Sequence, residues 1–217
     1  MFLEVTKSLL DGFGMTVRLF VMTLVFALPL GLLICFGSMN RHKIISVPIN
    51  LIIWIIRGTP LLLQLLIIYF GPGILFDNNI WGSGDDGRYI AALVSFVINY
   101  ACYFAVIYQG GIQSVPVGQR EAGLVLGLSD SQIFRKIILL QVIKNIVPPI
   151  SNEIITLVKD TSLARVIAVY EVIWAGQSFI KSSGIIWPLF YTGVFYLVFS
   201  GFLTWLFNYI EKKLSYF

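Results

Sequence analysis

Charged residues leave gaps in this sequence that a water-soluble fold does not tolerate. None occurs from Leu19 to Asn40 or from Tyr89 to Gln119, and between Ile44 and Phe70 there is only Arg57. A bilayer-crossing helix needs about 20 predominantly apolar residues, and each of these runs supplies them. The chain is 58% hydrophobic and 12% charged, against about 45–50% apolar and about 25% charged in soluble domains. So little polar surface cannot cover a soluble globule. A cytosolic enzyme, a disordered tail and a secreted disulfide scaffold are excluded, and the chain reads as an all-α integral membrane protein. Cys35 and Cys102 both lie in apolar runs and read as packing residues. The single histidine, His42, stands in a basic loop, so neither a metal site nor a Ser–His pair is expected. Glu4, Lys7 and Asp11 occupy the place of a basic leader region, and no cleavable signal peptide is expected.

The charges that break the runs divide the chain into five predicted spans, at about 16–39, 45–70, 89–111, 137–158 and 187–210, within one domain of 1–217. Basic residues cluster after the first span (Arg41, Lys43), around the loop after the third (Arg120, Arg135, Lys136, Lys144) and after the last (Lys212, Lys213). The loop after the second span holds Asp77, Asp85 and Asp86 against one Arg. Basic residues accumulate on the cytoplasmic side. All three clusters share that side if the N-terminus is outside, the C-terminus inside and the crossings number five. A sixth crossing near 166–180 would put the two C-terminal lysines outside, so that region reads as a partly buried extracytoplasmic helix or re-entrant element. The net charge of +4 mostly sets orientation and is no sign of a nucleic-acid partner.

The fourth span is the unusual one. Charge at the bilayer centre costs about 2.5–3.5 kcal/mol on insertion scales, so charged groups there face a partner, a cavity or the interface. At the helical period, Asn145, Asn152, Glu153, Thr156, Lys159 and Asp160 fall in one arc of about 120°. Isoleucines, leucines and valines fill the rest. Such a stripe suits a cavity wall that recognises a zwitterion, with Glu153 and Asp160 for an ammonium group and Lys159 for a carboxylate. It equally suits an internal network in which Lys159 pairs with either acid. Lys144 falls on the other side of the wheel and reads as an interface anchor.

Two further segments stand out. Arg57-Gly58-Thr59-Pro60 sets a cation beside a helix breaker near mid-membrane, with Gln64 one turn on. The backbone groups freed there need a protein- or water-lined site. A bent wall of a transport path would use these features; a packing kink, with Arg57 bonded to the freed carbonyls, is the reading favoured for Arg57 itself. The loop of about 113–135 contains Pro116 and Gly118, then a short predicted helix over Glu121–Leu128 with Ala122, Leu124, Val125 and Leu128 on its apolar side. Gly127 stops that helix, and Ser129-Asp130-Ser131-Gln132 has the form of a capping box. On the basic side, such a helix is either a docking knob for a soluble partner or a helix lying on the membrane.

These segments together resemble a known family. Glu121-Ala122-Gly123, with Gly127 six residues after the Glu, resembles the Glu-Ala-Ala loop of bacterial ABC-importer permeases. Arg57-Gly58-Thr59-Pro60-Leu61-Leu62-Leu63-Gln64-Leu65 resembles the signature of their polar amino-acid subfamily, the histidine/glutamine/arginine type. Gly111 to Gln119, and Asn152-Glu153 followed by Lys159-Asp160-Thr161-Ser162-Leu163, agree with it. The resemblance implies a type I ABC importer permease fold in the bacterial plasma membrane. It implies dimerisation with an identical or a different permease subunit, two ATP-binding subunits docked at Glu121, Ala122, Gly123 and Gly127, and an extracytoplasmic binding protein. ATP and Mg would be bound by those partner subunits and no cofactor by this chain. The resemblance also favours ligand contact by Asn152, Glu153, Lys159 and Asp160; Thr156 on the same arc and Gln64 beside the break are expected to join them, and Arg57, Gly58 and Pro60 to be structural. Two acids against one Lys would suit a cationic or neutral amino acid.

The sequence departs from the family at Leu140, where Pro is usual, at Gly123 in place of the second Ala, and at Val106 and Gln109, where Glu and Arg are common. Those last two lie three apart on one helix face, so an ion pair is lost as a unit. The expected function is the permease subunit of an ATP-driven importer of polar amino acids, without enzymatic activity of its own. The chain has no Gly-x-x-x-x-Gly-Lys-Ser/Thr loop to bind ATP. The alternative is an ATP-independent transporter or channel for small polar solutes.

Overall fold

The computed structural model describes residues 1–82 and 84–214, and the elements found there are helical. They are α1 (Phe2–Ser38), α2 (Lys43–Gly58), α3 (Leu61–Phe76), α4 (Asp85–Gln113), α5 (Val117–Val125), α6 (Asp130–Ile133), α7 (Leu139–Asp160), α8 (Val172–Ser183) and α9 (Trp187–Lys213). A five-residue π segment, Phe134–Ile138, joins α6 to α7, and a 3₁₀ segment, Thr161–Ile167, leaves α7 toward α8.

Contacts along α1 fix the directions of its neighbours. Arg18 lies over the Tyr89 ring near the start of α4, and Ser38 meets Gln109 near its end, so α1 and α4 run parallel. Between these points the helices approach closely: a Cβ on Gly31 would stand 2.9 Å from both the Ala101 carbonyl oxygen and the Phe104 Cβ. Small residues permit this approach, which replaces hydrophobic driving force between helices in lipid. Phe2 stacks on Trp187 and Tyr191, Phe13 meets Phe195, and Phe20 meets Phe199, so α9 runs parallel to α1 as well. In contrast, α7 is antiparallel to α4, with Tyr100 beside Asp160 and Ser114 beside Asn145.

Because α1, α4 and α9 run the same way, their C-terminal ends share one end of the bundle. All three basic clusters following those helices therefore gather at that end, and Phe2 and Trp187 lie at the other. Among the described residues, three helices (α1, α4 and α9) are long and apolar enough to cross a membrane, or four if α2 and α3 form one bent span. The fourth predicted span falls on α7, which is less apolar because it carries the polar stripe.

The second predicted span is not one helix. Pro60 forces its predecessor out of helical geometry; Thr59 is extended, with φ −120° and ψ 146°, and α3 leaves α2 at 107°. The predicted element near 166–180 is α8, too short to cross at 12 residues. It is docked on the first turns of α1 through Val5, Leu9, Val172 and Ala175. Its N-cap is Glu171, fully buried, whose carboxylate accepts from the Ile173 and Trp174 amides and from the Tyr196 hydroxyl.

Candidate functional site

The phase of α7 places the stripe as periodicity predicts. Ser151, Ile154, Leu157 and Val158 are buried in the bundle. Asn145, Asn152, Thr156 and Lys159 are exposed, and Glu153 and Asp160 half-buried. The polar stripe thus occupies the face that this chain leaves uncovered. Among the described residues, no ion pair links Lys159 to Glu153 or Asp160. Asp160 is instead held from α4, where the buried Tyr100 hydroxyl donates to its Oδ2 at 2.7 Å. Bonds to an ionised acceptor are short and strong, so this one fixes the inward edge of the stripe.

At the α2–α3 break, two residues exchange the positions that their sequence suggests. Gln64 is buried, and its Nε2 lies 2.8 Å from the Ile56 carbonyl, 3.1 Å from the Thr59 carbonyl and 2.9 Å from the Thr59 hydroxyl. Its Oε1 accepts from Asn99 at 3.0 Å. The amide therefore satisfies the carbonyls freed by Pro60 and ties the break to α4. Arg57 is exposed instead, with its guanidinium 5.1 Å from the centroid of Tyr103. Tyr103 touches Tyr100, so contacts run from Arg57 through Tyr103 and Tyr100 to Asp160. Glu153 stands about two turns before Asp160 on the same stripe of α7. Gly58 and Pro60 stay with the break; open space surrounds Gly58.

Sequence reasoning missed Tyr100, Tyr103 and Asn99. They stand in an uncharged apolar run, where no charge or helix breaker marks them. The available signal was their spacing of one helical turn, which puts Asn99 and Tyr103 on one side of α4. Asn145 borders two cavities at the basic end, of about 680 Å³ with Pro148, Asn208 and Glu211, and about 530 Å³ with Gln119, Lys136 and Gln141; Lys144 borders both.

The loop after α4 is built by capping. Pro116 sets the start of α5, so the short helix begins at Val117 rather than near Glu121. It ends in a Schellman arrangement, with Leu128 N–H donating to Gly123 and Gly127 N–H to Leu124. Gly127 has φ +74°, a left-handed conformation that favours glycine. The expected capping box is present: Ser129 accepts from the Gln132 amide while the Gln132 side chain accepts from Ser129 N–H. Gly123 is buried, and an alanine Cβ there would stand 2.7 Å from Ile133 Cγ1. This close approach accounts for glycine where the resembled motif has alanine. Glu121 and Ala122 are exposed, as are Val117, Leu124, Val125 and Leu126, with Val125 at 88%. The apolar side of this helix is consequently turned out of the fold. At Val106 and Gln109 the interior is neutral: Val106 packs beside Cys35 and Ile53, and Gln109 Oε1 accepts from Ser38 at 3.4 Å. Among the described residues no cluster of three metal-ligating side chains occurs.

Residues 27–216 match the family described as "Binding-protein-dependent transport system inner membrane component". The chain is 34% identical over 215 residues to the octopine transport system permease protein OccM of Rhizobium radiobacter, covering 95% of this chain and 86% of that one. It is 34% identical over 210 residues to the glutamine transport system permease protein GlnP of Escherichia coli (strain K12), covering 95% and 93%. Among solved structures, a crystal structure of an amino acid ABC transporter with histidines superimposes with a TM-score of 0.87. It has 30% identity and covers 98% of this chain and 96% of that one.

Proposed function

This chain belongs to the family of binding-protein-dependent transport system inner membrane components, and from that membership we propose that it is the permease subunit of an ATP-driven importer of polar amino acids. The observation that carries the proposal is the stripe of α7. It places both signs of charge on the uncovered face of a membrane bundle, with no ion pair between Lys159 and the two acids among the described residues. A second permease subunit, identical or different, would close a path over that face. Within it Lys159 and Arg57 offer positive charge to a carboxylate, Glu153 and Asp160 offer negative charge to an ammonium group, and Asn152 and Thr156 offer hydrogen bonds. Tyr100 holds Asp160 in place, and Gln64 acts on the path by fixing the bend rather than by touching cargo.

The same reading orients the chain. The end that gathers the three basic clusters is cytoplasmic, which gives five crossings, an outside N-terminus and an inside C-terminus in a bacterial plasma membrane. The exposed α5, with Glu121 beside Leu124 and Val125, is the surface on which an ATP-binding subunit docks. ATP is bound and hydrolysed by two such subunits, and an extracytoplasmic binding protein delivers the amino acid. The chain itself is a conduit and not an enzyme.

Direct binding of radiolabelled glutamine and arginine to the solubilised complex tests the cargo site, with Glu153→Gln, Lys159→Met and Asp160→Asn made singly. We expect at least one variant to lose affinity about tenfold, the loss of one charge-assisted bond of about 1.4 kcal/mol or more. Unchanged affinity in all three would overturn the site. Glu121→Arg should abolish retention of the ATP-binding subunits; if uptake and retention persist, docking lies elsewhere.

A further inference from the structure

A further cavity, bordered by two charged side chains, lies at the opposite end of the bundle from the basic clusters, away from the stripe. It encloses about 430 Å³ and is lined by Ser8, Asp11, Gly14, Met15 and Arg18 of α1 and by Tyr170, just before α8. The volume falls within the range of about 300–1,000 Å³ typical of small-molecule sites. Asp11 and Arg18 are seven residues apart, which puts them on one helix face about 10 Å apart along the axis. Helical side chains lean toward the N-terminus, so Arg18 reaches back toward the level of Asp11.

Both charges are open. Among the described residues the ion pairs involve neither Asp11 nor Arg18, and both side chains are exposed. The Arg18 guanidinium sits 4.6 Å from the centroid of Tyr89, and the buried Tyr89 hydroxyl has no hydrogen-bond partner among the described residues. Gly14, between the two charges, has open space where a side chain would begin, whereas a Cβ on Gly12 would stand 3.0 Å from Ala175 Cβ and the Glu171 carbonyl oxygen. Gly12 therefore serves packing and Gly14 leaves the cleft floor open. From the Tyr170 wall the chain leads back through the 3₁₀ segment to Asp160, so one short connection joins the cleft to the stripe.

We propose that this cleft is an outer subsite that receives the amino acid as a zwitterion, Arg18 taking the carboxylate and Asp11 the ammonium group, before the molecule reaches α7. The proposal rests on the importer reading. It assigns function to two charges that form no ion pair among the described residues and stand near the start of the first predicted span. The chemistry recognised, a cation and an anion on one molecule, is also that of a phosphatidylethanolamine headgroup, and the test separates the two sources.

The full complex, with its ATP-binding subunits and its extracytoplasmic binding protein, is reconstituted in phosphatidylcholine vesicles, and uptake of each radiolabelled protein amino acid is measured to select the cargo. Arg18→Gln, Asp11→Asn and Gly14→Leu are then compared with the parent. Each should raise the KM for uptake at least fivefold, with Arg18→Lys intermediate and Lys181→Gln, outside the cleft, leaving it in place. A decarboxylated analogue of the cargo should inhibit the parent and the Arg18→Gln variant equally. Size-exclusion profiles of the solubilised complex identify any variant that misfolds, and Gly14→Leu and Asp11→Asn serve if Arg18→Gln does. Unchanged KM in the folded variants overturns the subsite while leaving the importer reading intact. A shift seen only when phosphatidylethanolamine is added assigns the cleft to lipid and also overturns it. A parent complex that takes up no amino acid overturns both.

Discussion

Replacing Gln64 by leucine separates a bend-holding residue from a cargo-binding one. In the structure the amide covers the Ile56 and Thr59 carbonyls and accepts from Asn99. Leucine fills similar space and can do none of this, so the Thr59 carbonyl and the Asn99 amide lose this partner where water is scarce, and the Ile56 carbonyl keeps only its longer bonds from Thr59. Each orphaned buried group costs about 1–3 kcal/mol. The two carbonyls share one donor and the Asn99 amide loses its acceptor on the same side chain, so the losses are not independent and the expected total is about 3–5 kcal/mol. At about 2–4 °C per kcal/mol for a chain of this size, the apparent midpoint of thermal unfolding should fall by roughly 10 °C. The assay is a melting curve of the detergent-solubilised complex, paired with ligand affinity measured well below the new midpoint. Affinity should change by less than twofold, because the amide faces the break and not the uncovered surface. Gln64→Glu should lie between the two, since it keeps an acceptor for Asn99 but offers no donor. If the midpoint holds and affinity collapses, Gln64 is a ligand contact and the argument from its hydrogen bonds fails.

Other substitutions test other joints. Gly31→Val forces α1 away from Ala101 and Phe104 and should destabilise the fold by about 3 kcal/mol or more, read as lost monodisperse yield and a lower melting midpoint. Gly127→Val places a branched residue at φ +74°, a cost of about 1–2 kcal/mol confined to the loop; the bundle should melt as before while copurification of ATP-binding subunits falls. Tyr100→Phe removes the donor to Asp160, and substrate affinity should drop about threefold to tenfold, measured on the solubilised complex. Equal affinity would show that Asp160 needs no positioning.

Much of this was legible in residue order because it depends on local rules. The stripe emerged from helical period alone, and the break from the restriction that Pro60 places on Thr59. The capping box at Ser129 and the stop at Gly127 are also properties of a few adjacent residues. What escaped depends on how helices meet. A wheel drawn for one straight span cannot foresee a 107° turn, and that turn points Gln64 into the bend and Arg57 toward α4. Tyr100 escaped for a related reason: its role exists only because α7 runs antiparallel beside α4, and nothing in an uncharged run announces its neighbour. The oddity of the fourth predicted span was legible too, since the charges that mark it in the sequence are what keep α7 from being apolar enough to count as a crossing by composition.

The polar face of α7 also bears on biosynthesis. A segment holding Glu153, Lys159 and Asp160 has little tendency to leave the translocation machinery for lipid by itself. Its insertion must therefore be cooperative with α4, which is made earlier and presents Ser114 to Asn145 and Tyr100 to Asp160 as the segment emerges. A newly made subunit lacking its dimer partner would still expose that face to lipid. On the proposed reading, the charges that serve cargo in the assembled transporter would mark the unassembled chain for removal, coupling the amount of this protein in the membrane to the supply of its partner.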